Sequence, residues 1–458
     1  MANSASSNLK SSNKKWLMLR HFLGARYLLN FKRADKLRAW QQKQLQRFMR
    51  DILPTAPFYQ GYKAQCLTDL PLMDKSSMLA NFTGTNSQAI SYVQAKSVAA
   101  QAECSRDFTP KIGQVTVGMS SGTSGTPGLF LVSEQERAQW AGVLLAKTLP
   151  SKFIAQLLKC WQPALSIAFF LRANSNLYDT INSRRIDFRF YDLLAGVDQQ
   201  VDQLNSNLPQ VLVAPATVLH RLAQLSLSGV LQIQPEHIIS VAEVLEADDQ
   251  LLIESAFKQK VHQIYQASEG LLGYSCELGN LHLNEAHLSI QKQWLDESHS
   301  RFMPIVTDFS RTTQLIVRYR LNDILRVAEH PCACGRADSH IAAIEGRADQ
   351  ILWLPARSDF DISNKSDDLI ALYPDLVRRA MMLVCPALTQ YSIAQQGMHW
   401  QVDILTQGDW LKATQSVSAA IEQCCQSLAV QLPTLQFGHW QALELGAKRR
   451  RIWCHSKC

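Results

Sequence analysis

"VTVGMSSGTSGTPGLFLVS", Val115 to Ser133, packs three serines, two threonines and three glycines into the nine residues Ser120–Gly128. Glycine packs nothing and gives up much conformational freedom on folding, so clustered glycines signal a backbone that must come close to something. Hydroxyls beside bare amides form a concave anion site, and phosphate is the anion they suit. A flexible linker or a Gly-Thr hairpin turn fits the same composition. The flanks narrow the choice. Val115 and Val117 before the loop, and Leu129–Val132 after it, read as strands, giving strand–loop–strand. Ser133 and Glu136 have capping-box spacing ahead of "ERAQWAGVLLAKTL", so the helix comes later. A Walker A loop would place lysine after its second glycine and run straight into a helix. This chain does neither.

At 458 residues the chain is long enough for two or more domains. Hydrophobic residues at 47% and charged ones at 19% describe a globular protein. No apolar run approaches the ~18 residues needed to cross a bilayer. Arg20, His21 and Arg26 interrupt the one N-terminal stretch that a signal segment would need. Eleven scattered cysteines form no small disulfide framework, so reduced thiols and a cytoplasmic setting are expected.

The net charge of +7 is unevenly spread. Residues 1–50 carry +11, with Asp35 their single acid, and the remainder carries −4. A basic segment with Trp16, Leu19, Leu23, Trp40 and Phe48 suits peripheral contact with an anionic membrane. The same pattern suits a basic helical arm packed on its own domain, the reading preferred here. Nucleic-acid binding is not expected, because the acidic body offers no basic face.

Helical patterns occupy roughly 16–53, 134–148, 215–226 and 246–258. Strand-like runs at Ile167–Leu171, Gln210–Val213, His237–Val241, Val261–Tyr265 and Gln314–Tyr319 alternate with them. The alternation predicts an α/β fold with much parallel sheet. After "IEGRADQILWLP" the composition turns hydrophilic and then reads as a small α+β unit. The expected domains are therefore 1–348, with the arm at 1–50, and 349–458.

Four further motifs sit at predicted strand ends, where open α/β sheets collect ligand-binding residues. They are "SVAEV" at 240–244, "YQASEG" at 265–270, "VRYRLNDIL" with Asp323, and "IEGRADQI" with Arg347 and Asp349. Together with the hydroxyl/glycine loop they offer phosphate donors, a stacking face, acids and a cation, which is what a nucleotide needs.

Taken in order, these motifs resemble the ANL superfamily of adenylate-forming enzymes, most closely the phenylacetate–CoA ligase branch with its deazaflavin-coenzyme synthetase relatives. The resemblance runs from about Gln41 to the C-terminus. It implies a large N-terminal domain of parallel and mixed sheets and a small mobile α+β C-terminal domain. It also implies roles. Ser120, Ser121, Gly122, Thr123, Ser124, Gly125 and Thr126 would hold the pyrophosphate of ATP. Ala242 and Glu243 would form the adenine-side strand end, with Tyr265 against the base. Glu269 would meet Mg²⁺, Asp323 the ribose hydroxyls with Arg347 assisting, and Asp349 would be the hinge. "GAKRRRI" makes Lys448 the catalytic lysine, unless it is one charge of a solvated basic tail. Departures are Gly128 where many relatives carry lysine, Gln266 for a glycine, no glycine in "VAE", and Asp349-Gln350 for Asp-Asp. They suggest a divergent subgroup with its own substrate.

Cys276, His282, Cys332 and Cys334 make a second set, one imidazole and three thiols, that suits a closed tetrahedral Zn²⁺ site. Some members of this branch hold a structural zinc in a similar arrangement. Buried free cysteines are the other reading.

The expected activity is ATP-dependent conversion of an aryl or other hydrophobic carboxylic acid to an acyl-adenylate, followed by transfer to the thiol of CoA. The acid is expected between the sheet and the segments "FFLRANSNLY" and "VAPATVLHRLA". An adenylyltransferase, an amide-forming ligase or a non-catalytic ATP-binding module would use the same motifs.

Overall fold

The computed structural model describes residues 14–105, 107, 110–119, 128–171, 183–357, 369–382, 388–441 and 451–456. The expectations for Ser120–Thr126 and Lys448 lie outside these residues. Two compact units emerge: Met1–Leu321 with Val327–Ala343, and Asn322–Arg326 with Ile344–Cys458.

In the first unit the strands flanking the hydroxyl/glycine loop are Val115–Met119 and Leu129–Ser133, paired antiparallel from Val115↔Ser133 to Met119↔Leu129. Ser133 then caps the helix Glu134–Thr148, its hydroxyl accepting from the Glu136 N–H while the Glu136 side chain accepts from the Ser133 N–H. This is the capping box read from the sequence.

The central sheet of this unit has a parallel block. Ile186–Asp192, Leu165–Leu171, Val211–Ala214, His237–Val241 and Val261–Ala267 lie side by side in that order. Leu165–Leu171, Val211–Ala214 and His237–Val241, the inner strands of the block, read as near-continuous apolar runs, and the last two are buried at every position. That is the pattern of strands covered on both faces. One face packs Val143, Leu144, Phe153 and Ile154 from two helices. The other packs Leu219, Leu222 and Ile253 from the helices Ala216–Leu227 and Ala247–Phe257. Beyond Val261–Ala267 the pairing turns antiparallel, through Gly270–Ser275 and Leu281–Leu283.

Two expected elements differ. The helical stretch 16–53 is interrupted between Leu29 and Arg33, because tertiary partners take the carbonyls there: Lys147 Nζ donates to Leu29 O at 2.9 Å and Ala337 N–H to Phe31 O. The run Gln314–Tyr319 forms an isolated bridge at Gln314 and only a two-residue strand, Tyr319–Arg320. Arg318, at φ +45°, breaks the extended conformation between them.

The second unit carries a four-stranded sheet ordered Thr434–His439, His399–Thr406, Leu388–Gln396, Ile452–Ser456. Its helix Trp410–Ser427 lays Val417 and Ile421 on Trp400, Val402 and Ile404. This is the small α+β unit expected from the sequence.

His237 in the parallel block is 4% exposed. Its Nε2 lies 2.9 Å from the Thr148 carbonyl, which can only accept, so Nε2 carries the proton. Burial above all, then neighbouring His262, pushes it down to about 4 from its ordinary 6.5. The unfolded chain therefore binds a proton here below pH 6.5 that the native state refuses. This site's share of stability is expected to be intact above about pH 6.5 and to fall as pH drops towards 4, by on the order of 1 kcal/mol per pH unit. Urea unfolding across that window checks it. His237→Gln, which keeps a donor for Thr148 and cannot titrate, should flatten the slope.

Candidate functional site

Pairing changes from parallel to antiparallel after Val261–Ala267, and the motif "YQASEG" occupies that change. Tyr265 pairs with Gly273, and a bulge follows between Tyr265 and Gln266. Such a bulge re-aims the residues beyond it. Tyr265 is 7% exposed. Glu269 sits in the turn, where Ser268 Oγ donates to its Oε2 at 3.0 Å. The Tyr319 hydroxyl also hydrogen-bonds to Glu269; burial first, then this carboxylate, raises the phenol well above its ordinary value. The carboxylate is thus oriented by two hydroxyls, and it offers oxygen, the ligand type Mg²⁺ takes.

At the end of the adjacent strand His237–Val241, Ala242 has φ +65°. A non-glycine residue holds this left-handed conformation at a cost of about 1 kcal/mol. Glu243 accepts from the N–H and the hydroxyl of Thr217, at 3.0 and 2.8 Å, and so holds the start of the helix Ala216–Leu227. An acid at a helix N-terminus is favoured by the helix dipole.

Within the second unit, Arg347 Nε lies 3.3 Å from Asp323 Oδ1. The sequence placed these residues at two separate motifs, and the fold brings them together as a half-exposed arginine on a mostly buried acid. Asp349 lies in the single turn Ala348–Gln350, closed by Arg347 N–H to Gln350 Oε1 at 2.8 Å and by Ala348 N–H to Asn322 O.

A cavity in the first unit adjoins the Glu269 turn. It is lined by Gln266, Ala267, Ser268 and Gly270, and opposite them by Arg137, Trp140 and His287 among others. The sequence places the acid between the sheet and the segments 169–178, of which 172–178 lie outside the described residues, and 213–223. The latter segment belongs to the core: Leu219 and Leu222 are fully buried under the sheet. Glu136 braces the cavity wall. One carboxylate oxygen serves Ser133, while the other accepts from the N–H groups of Thr312 and Thr313 at 2.7 and 2.9 Å. Burial pushes this acid up, but Arg311 and these donors outweigh it and hold it below its ordinary value.

Cys276, His282, Cys332 and Cys334 converge. Their ligand atoms all lie within 4.8 Å of one another. The Cys276 and Cys332 sulfurs are 3.9 Å apart, too far for a disulfide, and Cys334 Sγ is 3.4 Å from His282 Nε2. Thiolates bonded to zinc at ~2.3 Å in a tetrahedron stand about 3.8 Å apart, and a thiolate and an imidazole about 3.5 Å. These two separations match those expected between ligands of a tetrahedral zinc ion. His282 Nδ1 lies 3.0 Å from the Asp338 carbonyl, so Nδ1 donates and Nε2 turns its lone pair towards the sulfurs. Two turns present the thiols, Gly279 N–H to Cys276 O and Gly335 N–H to Cys332 O.

The chain matches no protein-family model, and no curated protein is similar to it in sequence. Solved structures share its fold. A 2-hydroxyisobutyryl-CoA ligase in the postadenylation state, complexed with 2-HIB-AMP, matches at TM-score 0.61 and 13% identity, over 94% of this chain and 90% of that one. The same ligase with R3-HIB-AMP matches at 0.59 and 14%, over 92% and 89%. Its open conformation with 2-HIB-AMP and CoA matches at 0.52 and 15%, over 90% of each chain. The chain thus has the fold of the acyl-adenylate-forming ligases of the ANL superfamily, across nearly its whole length.

Proposed function

We propose that this chain, built on the adenylate-forming fold, activates a hydrophobic carboxylic acid with ATP and passes the acyl group to a thiol, that of CoA. The observation that carries the proposal is Glu269 in the turn where the sheet's pairing becomes antiparallel, oriented by Ser268 and Tyr319, beside a cavity and next to the strand end at Ala242. In the structurally similar 2-hydroxyisobutyryl-CoA ligase, an acyl-adenylate and CoA are bound.

A carboxylate is a poor acyl donor because its oxygen leaves poorly. Attack of that oxygen on the α-phosphorus of ATP breaks the bond to pyrophosphate, and the oxygen can then leave with AMP. The thiolate adds to the acyl carbon, and AMP departs with the bonding pair. Negative charge gathers on phosphoryl oxygens, so positioning and electrostatic stabilisation are the main work of the protein. Ser120–Thr126 would hold the pyrophosphate portion, Tyr265 would lie against the adenine, and Asp323, with Arg347 beside it, would accept from the ribose hydroxyls. Glu269 would hold Mg²⁺, whose charge offsets that of the phosphates when bound. Lys448 would supply a further cation during adenylation.

Two substitutions separate the half-reactions. Asp349→Pro fixes φ at the proposed hinge and is expected to slow one half-reaction far more than the other. Lys448→Ala is expected to slow adenylation on the order of a hundredfold, yet to pass a supplied acyl-adenylate to CoA at close to the parent rate. Pyrophosphate exchange and thioester formation from synthetic acyl-adenylate, assayed separately, check both. Equal loss of both half-reactions in both variants would contradict a hinge at Asp349 that brings Lys448 in for adenylation and withdraws it for transfer.

Zinc belongs to the same proposal as a structural ion held by Cys276, His282, Cys332 and Cys334. The four side chains would supply all four ligands of a tetrahedral ion, leaving no position for substrate.

A further inference from the structure

The cavity beside the Glu269 turn measures only about 100 Å³, against the ~300–1,000 Å³ typical of small-molecule sites. A second, open groove of about 690 Å³ lies behind it. Gln139, His287 and Ser310 line both spaces, so these three side chains are the partition between them. Leu19, Leu23, Leu28, Trp40, Phe48 and Ile52 supply the apolar walls of the groove.

Part of that wall is out of place on an ordinary arm. The helix 14–23 is fastened to the body by Met18 and Phe22, packed on the core. Met18 O comes so near Gly142 that a Cβ there would stand 2.3 Å away. Just beyond, Arg26 Nη1 donates to Ala146 O and Leu149 O, each at 2.9 Å. With one face buried, the other should be polar. Instead Trp16, Leu19 and Leu23, three and four residues apart and so on one stripe, are 63%, 51% and 46% exposed.

The partition does not oppose an apolar chain with charge. His287 is buried and its Nδ1 lies 3.0 Å from Asn284 Oδ1. Burial first, then Lys147 and His21, pushes it down to about 3, so it is a neutral imidazole at physiological pH.

We infer that the groove holds the aliphatic tail of the acyl substrate, so that the acid is a long-chain one. Its carboxylate would lie in the small cavity at the Ser268–Gly270 turn, and its chain would pass Gln139, His287 and Ser310 to the stripe on the N-terminal helix. The three side chains common to both spaces set the apolar groove directly behind the small cavity; that adjacency selects this occupant, and the inference rests on the adenylation reading of that turn.

The test pairs turnover with binding. Hydroxamate formation from saturated acids between butyrate and palmitate is measured with the full chain, and binding of brominated palmitate is read by quenching of tryptophan fluorescence. We expect kcat/KM to rise with length, by up to about fourfold per buried methylene. Leu19→Asp and Leu23→Asp, both at exposed positions, should cut palmitate turnover by about tenfold or more and abolish quenching, with butyrate changed by less than about twofold. Equal kcat/KM at all lengths, or equal loss for butyrate and palmitate, overturns the inference while leaving adenylation intact. If palmitate neither binds nor reacts but anionic vesicles capture the protein in a Leu23-dependent way, the stripe is a membrane surface and the inference fails. If quenching depends on Leu23 but no acid of any length gives a hydroxamate, the groove stands as a fatty-chain site and the adenylation reading falls.

Discussion

Glu269→Gln is expected to lower acid-dependent pyrophosphate exchange by on the order of a hundredfold or more, ~2.7 kcal/mol of barrier, with the fold intact. The side chain stands in a turn, where it accepts from the hydroxyls of Ser268 and Tyr319. Glutamine keeps the shape and an acceptor for those two donors, so packing loses little. What disappears is a negative charge, and with it the grip on a divalent cation. Circular dichroism and urea midpoint should match the parent protein. Turnover within about threefold of the parent, less than ~0.7 kcal/mol, would remove Glu269 from the machinery.

Loss of one thiol from the Cys–His cluster is expected to act on stability instead. Freshly purified protein should contain about one zinc per chain, and Cys332→Ser should lower that content substantially. The ion would clip the turn at Cys276–His282 to the turn at Cys332–Cys334, segments some fifty residues apart in sequence. A ligand that binds only the folded state stabilises it by about 4 kcal/mol when present at a thousandfold its Kd. Chelation of the parent protein and Cys332→Ser should therefore lower the unfolding midpoint alike, and the two treatments together should do no more than either. Residual acid activation by the folded fraction should stay within about threefold of the parent. Zinc well below one per chain in the parent, unchanged by Cys332→Ser, would return these residues to the status of buried thiols.

What the sequence showed, and what it hid, divides along a physical line. "HIISV" was legible as a buried strand because every residue of it is covered, and its observed limits are those read from the pattern. The capping box at Ser133 and Glu136 was legible because it is local. The second duty of Glu136 was not, since its other oxygen serves Thr312 and Thr313, nearly two hundred residues on. The break at Leu29–Arg33 contains no proline or glycine to announce it, and Lys147 and Ala337 stabilise it from afar. Arg318 likewise gives no local sign of its left-handed backbone, whose N–H goes to Thr307 Oγ1.

The metal-type residues could be named from sequence because few side chains are soft ligands, although only folding could bring them within bonding reach. The cavity was illegible because its lining comes from a helix, a strand turn and a loop that no motif joins. Exposure of Leu19 and Leu23 was likewise hidden: periodicity shows that an apolar stripe exists, not which side of the helix is covered. In the arm, Met18 and Phe22 took the core and left the other stripe outside.

The central claim is that this chain makes acyl-adenylates. Hydroxylamine trapping tests it most directly: the full chain is incubated with ATP, Mg²⁺, hydroxylamine and a library of carboxylic acids, and hydroxamate and pyrophosphate are measured together. The account predicts hydroxamate from a hydrophobic acid, one pyrophosphate released for each hydroxamate formed, and loss of both in Glu269→Gln. Nucleotide binding by a folded, zinc-loaded protein that yields neither product with any acid, with or without CoA, would contradict it.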